Sequence, residues 1–183
     1  MILFLSQQGQ SRHAYFKIDH IMMILTGPTA AGKNTISHII ARSCSQCAVV
    51  DFDAIRNMFV NPHLTPWDGE EGKAQQYLGI QHVCKVALGF KKAGWKVIIL
   101  DVLNNNTLQE YYRSLPGQAI RVVQLLPTFE ELNQRFLTRG RCLTDQQFRW
   151  VYEEQCNLTS YDLRIDNTDL APLEAAKIIE NYL

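Results

Sequence analysis

Nine consecutive residues, Gly27-Pro-Thr-Ala-Ala-Gly32-Lys33-Asn34-Thr35, constrain this chain more than any other feature. They follow a short apolar run, Ile21-Met-Met-Ile-Leu25, and lead into a segment of helical character from Thr35 to Ala41. A strand that breaks at a glycine and re-enters as a helix gathers backbone N–H groups and a helix N-terminus around one point, which makes an anion site. Gly27 permits the tight turn, and the loop of Pro28, Thr29, Ala30, Ala31 and Gly32 turns its backbone N–H groups toward phosphates. Lys33 reaches the phosphate oxygens, as the Walker A or P-loop pattern requires. A plain glycine turn beside a surface lysine explains neither the glycine spacing nor the strand-to-helix setting.

One position departs from that pattern. Asn34 follows the lysine, where a Ser or Thr normally meets Mg²⁺, and Thr35 comes one place later. Either Asn34 is a weaker oxygen ligand, or Mg²⁺ is held through water and acidic residues while Thr35 binds a phosphate; the residues leave both open.

The rest of the chain alternates. Ala48-Val-Val50 reads as a second strand ended by Asp51, with a helical stretch after Asp53, and Glu71 to Lys92 reads as a long helix ended by Gly94. Trp95 to Leu100 is a third strand closing on Asp101, and Ile120 to Leu126 a fourth. Tyr161 to Ile165 is a fifth, followed by a helix from Pro172 to Tyr182, where a first-turn proline costs no hydrogen bond. Capping-box spacing recurs at Thr107/Glu110, Thr128/Glu131 and Thr144/Gln147, which predicts helices over Leu108–Leu115, up to about Leu137, and over Phe148–Glu154. Roughly five strands separated by helices imply an α/β chain with a parallel sheet covered on both faces, the P-loop containing nucleoside triphosphate hydrolase fold. Its ligands gather beyond the carboxyl ends of the strands. At 183 residues the chain accommodates one core, read as a domain over 20–183 behind an N-terminal extension over 1–19.

Three candidate reactive segments stand at strand ends. Asp53, just past the second strand, is placed to face an acceptor hydroxyl as a general base, with Arg56 one turn on to hold the acceptor or a phosphate. Asp51 is the alternative base, and plain turn chemistry the alternative to both. Asp101 is read as a carboxylate that helps hold Mg²⁺, giving Asn34, Thr35 and Asp101 as the candidate metal residues. Arg135 and Arg139 are four residues apart, with Arg141 beyond Gly140. They read as an arginine-rich lid over about 135–145 that neutralises charge on a transferring phosphoryl group and excludes water.

Other features read as packing or surface. Cys44-Ser-Gln-Cys47 has no second ligand pair, so its thiols are read as ordinary. The five histidines lack a catalytic partner at a recognisable spacing, and Trp67, Trp95 and Trp150 do not alternate with basic residues. Tyr111 and Tyr112 are read as helix packing. An odd count of five cysteines favours reduced thiols and a cytoplasmic setting, and no run is long enough to span a membrane. With 18 basic and 18 acidic residues there is no global positive field to draw in nucleic acid.

With these residues in view, the sequence resembles a group of P-loop kinases acting on small molecules or nucleic acids. The group spans AAA-type ATP-binding, chloramphenicol phosphotransferase-like, polynucleotide 5′-hydroxyl kinase-like and zeta toxin-like proteins. The resemblance covers about residues 21–183. It rests on Gly27 to Thr35, Asp53 to Arg56, Gly94-Trp-Lys-Val-Ile-Ile-Leu-Asp101, Arg135 with Arg139, and Tyr161-Asp-Leu-Arg-Ile-Asp-Asn-Thr168 followed by Pro172-Leu-Glu-Ala-Ala176. It implies ATP and Mg²⁺ as cofactors, Asp53 as general base, Arg56 on an acceptor phosphate in the polynucleotide kinase-like members, and Arg135 and Arg139 in the lid. It also implies a base pocket lined by Asp166 to Thr168, with Asn167 at its centre. The expected activity is transfer of the γ-phosphate to a hydroxyl of a small-molecule or nucleoside-like acceptor, with Lys33, Asp53, Arg56 and Arg139 carrying the reaction. A nucleic-acid 5′ end as acceptor, another NTP-dependent transfer, and nucleotide binding without transfer are the alternatives.

Overall fold

The computed structural model describes residues 21–140 and 142–183. The extension over 1–19 and the lid residue Arg141 lie outside the described residues.

Five strands form one parallel sheet: β1 (Met22–Thr26), β2 (Cys47–Asp51), β3 (Lys96–Asp101), β4 (Ile120–Leu125) and β5 (Leu163–Ile165). Their spatial order is β2-β3-β1-β4-β5. The connecting helices are α1 (Lys33–Ser43), α2 (Phe52–Arg56), α3 (Gly69–Lys92), α4 (Asn105–Ser114), α5 (Phe129–Arg139), α6 (Asp145–Cys156) and α7 (Pro172–Ile179). A short 3-10 turn over Glu180–Tyr182 follows α7.

All of β1 is buried, as a central strand with both faces covered must be. The two-residue period of a strand divides its side chains between two cores. Met23 and Leu25 join Ile98, Leu100, Val123 and Leu125 under α1, α5, α6 and α7. Met22 and Ile24 join Val97, Ile99 and Val122 under α3 and α4. The central strands run in register, with Thr26 beside Asp101 and Asp51 beside Leu100. Residues that are distant in sequence therefore share one carboxyl edge.

One expected boundary moved for a physical reason. Helix α4 starts at Asn105 rather than Leu108, because Asn104 is its cap: the Asn104 side chain accepts from the N–H groups of Asn106 (3.0 Å) and Thr107 (2.9 Å). Thr107 is the third helical residue of that box, and Glu110 is drawn away by Gln81 on α3 at 3.0 Å and Arg113 at 2.9 Å. The Thr144/Gln147 box forms as expected, while Glu131 turns to Arg135 instead of completing a box with Thr128.

Candidate active site

The phosphate loop runs from the end of β1 to the first residue of α1. Gly27 has φ +152°, and a Cβ there would lie 2.5 Å from the Leu125 carbonyl oxygen, so no side chain fits. Gly32 caps α1 in the left-handed region, and Ala30 holds a positive φ of 70° between them. Lys33 curls back on this loop, donating from Nζ to the Gly27 oxygen (2.8 Å) and the Pro28 oxygen (3.1 Å). An ammonium has three N–H donors, which leaves one for an arriving oxyanion. Desolvation lowers the Lys33 pKa to about 8; Asp53, Asp101 and Asp51 oppose that, and Arg139 adds to it. The loop is braced from behind by Asn167, whose buried side chain donates to the Ala31 oxygen at 2.9 Å.

Around this loop lies a cavity of about 590 Å³, of the size that ligand sites occupy. Thr29, Ala30, Lys33, Asn34, Asp51, Asp53, Arg56, Asp101 and Arg139 all line it, although they come from four separate segments of the chain. Asp51 and Asp53 have different employment. The Asp51 carboxylate caps α2 by accepting from the Asp53 N–H (3.0 Å) and also accepts from Asn34 Nδ2 (3.1 Å). Asp53, on the first turn of α2, turns an exposed carboxylate to the cavity. Arg56 follows on the same helix, its Nη2 at 3.5 Å from His63 Nε2 and its buried Nε without a hydrogen-bond partner. His63 Nδ1 faces the Phe59 carbonyl oxygen at 2.9 Å and must donate to it, so in a neutral ring Nε2 is the acceptor for Arg56.

Asp101 is buried, with Oδ2 accepting from the Tyr111 hydroxyl (2.8 Å) and Oδ1 from the Val102 N–H (2.7 Å). Burial raises its pKa to about 7, and those two hydrogen bonds hold it from going higher. Tyr111 is thereby a support for the candidate metal carboxylate, whereas Tyr112 is exposed on the same helix.

The two arginines of α5 part company. Arg139 reaches the cavity. Arg135 is absent from the cavity lining and does not act as a lid there: its Nε donates to Glu131 (2.7 Å) and its Nη2 to the carbonyl oxygens of Asn167 (3.0 Å) and Thr168 (3.2 Å). Asn167 is likewise outside the cavity lining, placed behind the loop as its brace. Thr35 is exposed beside Asn34 at the start of α1 and is not among the lining residues.

Two groups escaped the sequence reading. Trp67, from the segment before α3, and Trp150, on α6, meet edge to face with centroids 6.0 Å apart, and both line the cavity. Gln155 is buried at the end of α6; its Nε2 donates to Thr26 Oγ1 (3.3 Å) and to the Leu103 carbonyl oxygen, and its Oε1 accepts from Gln124 at 2.9 Å. Arg164 in turn donates to Gln124 at 2.6 Å. This network fixes α6 against the ends of β1 and β4, and so sets where Trp150 stands. The available signal was a glutamine within the apolar strand Ile120–Leu125, since a buried amide needs partners. Cys44 and Cys47 are free thiols; burial, then Cys44, raises the Cys47 pKa to about 12, which disfavours thiolate chemistry.

No protein-family model matches the chain, and no curated protein sequence matches it. Solved structures do. The APS kinase of Mycobacterium tuberculosis, in complex with AMPPNP and APS, superposes with a TM-score of 0.67 at 15% identity, over 89% of this chain and 96% of that one. The Deinococcus radiodurans tunicamycin resistance protein gives a TM-score of 0.67 at 13% identity, over 88% and 94%. Shikimate kinase from Bacteroides thetaiotaomicron gives 0.64 at 16%, over 88% and 98%. At these identities the likeness establishes the fold, the P-loop NTPase fold as carried by shikimate, APS and sugar kinases. It singles out neither the AAA-type, the chloramphenicol phosphotransferase-like nor the polynucleotide kinase-like proteins. No described helix is long and apolar enough to cross a membrane.

Proposed function

We propose that the chain is an ATP- and Mg²⁺-dependent kinase that transfers the γ-phosphate to a hydroxyl of a small-molecule acceptor. The observation that carries this reading is convergence: Asp53 and Arg56, on one short helix, open into the same cavity as Lys33 and Arg139. A protein that only bound nucleotide would have no use for an exposed carboxylate opposite the phosphate loop. The fold shared with shikimate, APS and sugar kinases supports a small acceptor. So does the charge of the cavity wall, where Lys33, Arg56 and Arg139 face Asp51, Asp53, Asp101 and Glu154. A channel for a nucleic-acid strand would need a basic surplus there.

In this reading the loop N–H groups and Lys33 hold the polyphosphate, and Arg139 meets the charge that spreads over the transferring phosphoryl group. Asp53 orients the acceptor hydroxyl and takes its proton late in the transfer, while Arg56 holds the acceptor in line. The donors suit a hard cation: the Asn34 side-chain oxygen and the Asp101 carboxylate are oxygens on the cavity wall, whereas Thr35 stands outside it. The described residues contain no group of three or more His, Cys, Asp or Glu arranged to hold a metal ion, so Mg²⁺ would rely on phosphate and water oxygens as well. When bound, it neutralises phosphate charge.

The test is a screen of labelled γ-phosphate transfer from ATP to neutral sugars, nucleosides, alicyclic alcohols and 5′-hydroxyl oligonucleotides. Transfer to a small alcohol is the expected result. Transfer to oligonucleotides alone would replace the acceptor, and no transfer to any of these with intact ATP binding would leave a nucleotide-binding module.

A further inference from the structure

Beyond the Trp67–Trp150 pair lies a second chamber of about 470 Å³, contiguous with the first through shared lining residues. The two indoles are the partition. Trp67 is 40% exposed and Trp150 45%, although they touch one another, because each also faces open space. Leaving two large apolar rings wet on either side of a cavity is costly for a fold that has a core to bury them in, and such surface marks a binding site.

The rest of the chamber wall defines what suits it. Gln76 from α3, Asn106 from the first turn of α4 and Gln146 from the first turn of α6 bring side-chain amides from three elements. Among the described residues its charged lining is Lys73 and Glu154, and Lys73 is already paired with Glu70 at 2.8 Å. An anionic ligand would find that cation engaged and the Glu154 carboxylate facing it. A neutral ring with hydroxyl or amide edges has the opposite fortune: its C–H or π face packs on indole, and its edges pair with amides that both donate and accept.

Resting on the kinase reading of the first chamber, we infer that the second chamber is an acceptor subsite for an uncharged, hydroxyl- or amide-edged ring, glycoside or nucleoside. The acceptor then spans both chambers, presenting its reactive hydroxyl to Asp53 while the ring lies against Trp67 and Trp150. Ring binding is a property of this chamber alone and needs no ATP.

The experiment is calorimetric titration of the ATP-free protein with methyl β-glucoside and uridine, each beside an anionic counterpart, glucuronate and orotidine. A saturable heat with one neutral ring, about tenfold or more weaker for its carboxylate counterpart, is expected, and which neutral ring binds separates glycoside from nucleoside. Trp150→Leu is expected to weaken that binding about tenfold. Gln146→Leu, at an exposed position where folding is not at stake, is expected to weaken it about threefold or more. Equal or tighter binding of the anionic rings, no binding of either neutral ring, or binding indifferent to both substitutions would overturn the subsite. Trp150-dependent ring binding without phosphate transfer would keep the subsite and sink the kinase reading. Transfer to an acceptor untouched by both substitutions would do the reverse.

Discussion

The two ends of the main cavity are built on different terms. At the proposed phosphate end most polar groups are already engaged, Lys33 by the Gly27 and Pro28 carbonyls, Ala31 by Asn167, and Asp101 by Tyr111 and Val102, with the buried Asn167 Oδ1 the exception. At the acceptor end the side chains stand open. Asp53 and Arg139 are exposed, Arg56 keeps a buried Nε without a partner, and Trp67 and Trp150 meet edge to face with much of each ring exposed. A site that receives the same phosphates every time gains from rigidity, because a preorganised donor costs nothing to arrange at the moment of reaction. A site that selects among acceptors needs unspent hydrogen-bonding capacity. Substitutions should therefore damage stability at one end and chemistry at the other.

The largest stability effect is expected at Gly27. A methyl there meets the Leu125 carbonyl oxygen at 2.5 Å, a backbone atom that moves only with β4. Gly27→Ala should cost about 3 kcal/mol, or roughly 10 °C in Tm for a chain of this size, read by thermal unfolding. A smaller loss is expected from Asn167→Ala, which removes the brace on Ala31 and should cost about 1–2 kcal/mol. Arg139→Ala, at the open end, should leave Tm nearly unchanged, within about 0.5 kcal/mol, yet lower turnover. Equal Tm losses for Asn167→Ala and Arg139→Ala would erase the contrast between the two ends.

A further test is a pH dependence of the phosphate end. The Asp101 carboxyl, raised by burial from an ordinary value of 3.8 to about 7, binds a proton in the folded chain through a range where the unfolded chain has lost it. The contribution of Asp101 to stability must then fall as pH rises from about 4 to about 7, and level off above. In chelator-containing buffer, Tm should decline by a few degrees over that interval in the parent protein, and the decline should shrink in Asp101→Asn. A parallel decline in both proteins would assign it to other groups.

What was legible beforehand follows the same division. The phosphate loop is contiguous and its chemistry belongs mostly to the backbone, so glycine spacing between an apolar run and a helix was enough to place it. The alternation of strands and helices likewise announced the parallel sheet. The acceptor end is assembled by side chains from segments remote in sequence, and no spacing rule pairs Trp67 with Trp150. Arg135 and Arg139 share a helix and looked equivalent; what separates them is the pair of carbonyls at Asn167 and Thr168, supplied by a different strand connection. The α4 cap was misplaced for a related reason. Thr107/Glu110 satisfies the capping template locally, but Glu110 is held by Gln81 on α3 and by Arg113 on its own helix.

The central claim is that Asp53, and not Asp51, receives the acceptor's proton. Asp51 spends its carboxylate on the Asp53 N–H and on Asn34, while Asp53 faces the cavity. The direct measurement is the turnover of γ-phosphate transfer by Asp53→Asn and Asp51→Asn, beside the ATP affinity of each. The account predicts a fall of roughly 10²-fold or more in turnover for Asp53→Asn, with ATP binding near that of the parent. An Asp53→Asn protein with full turnover, alongside an Asp51→Asn protein with none, would contradict it.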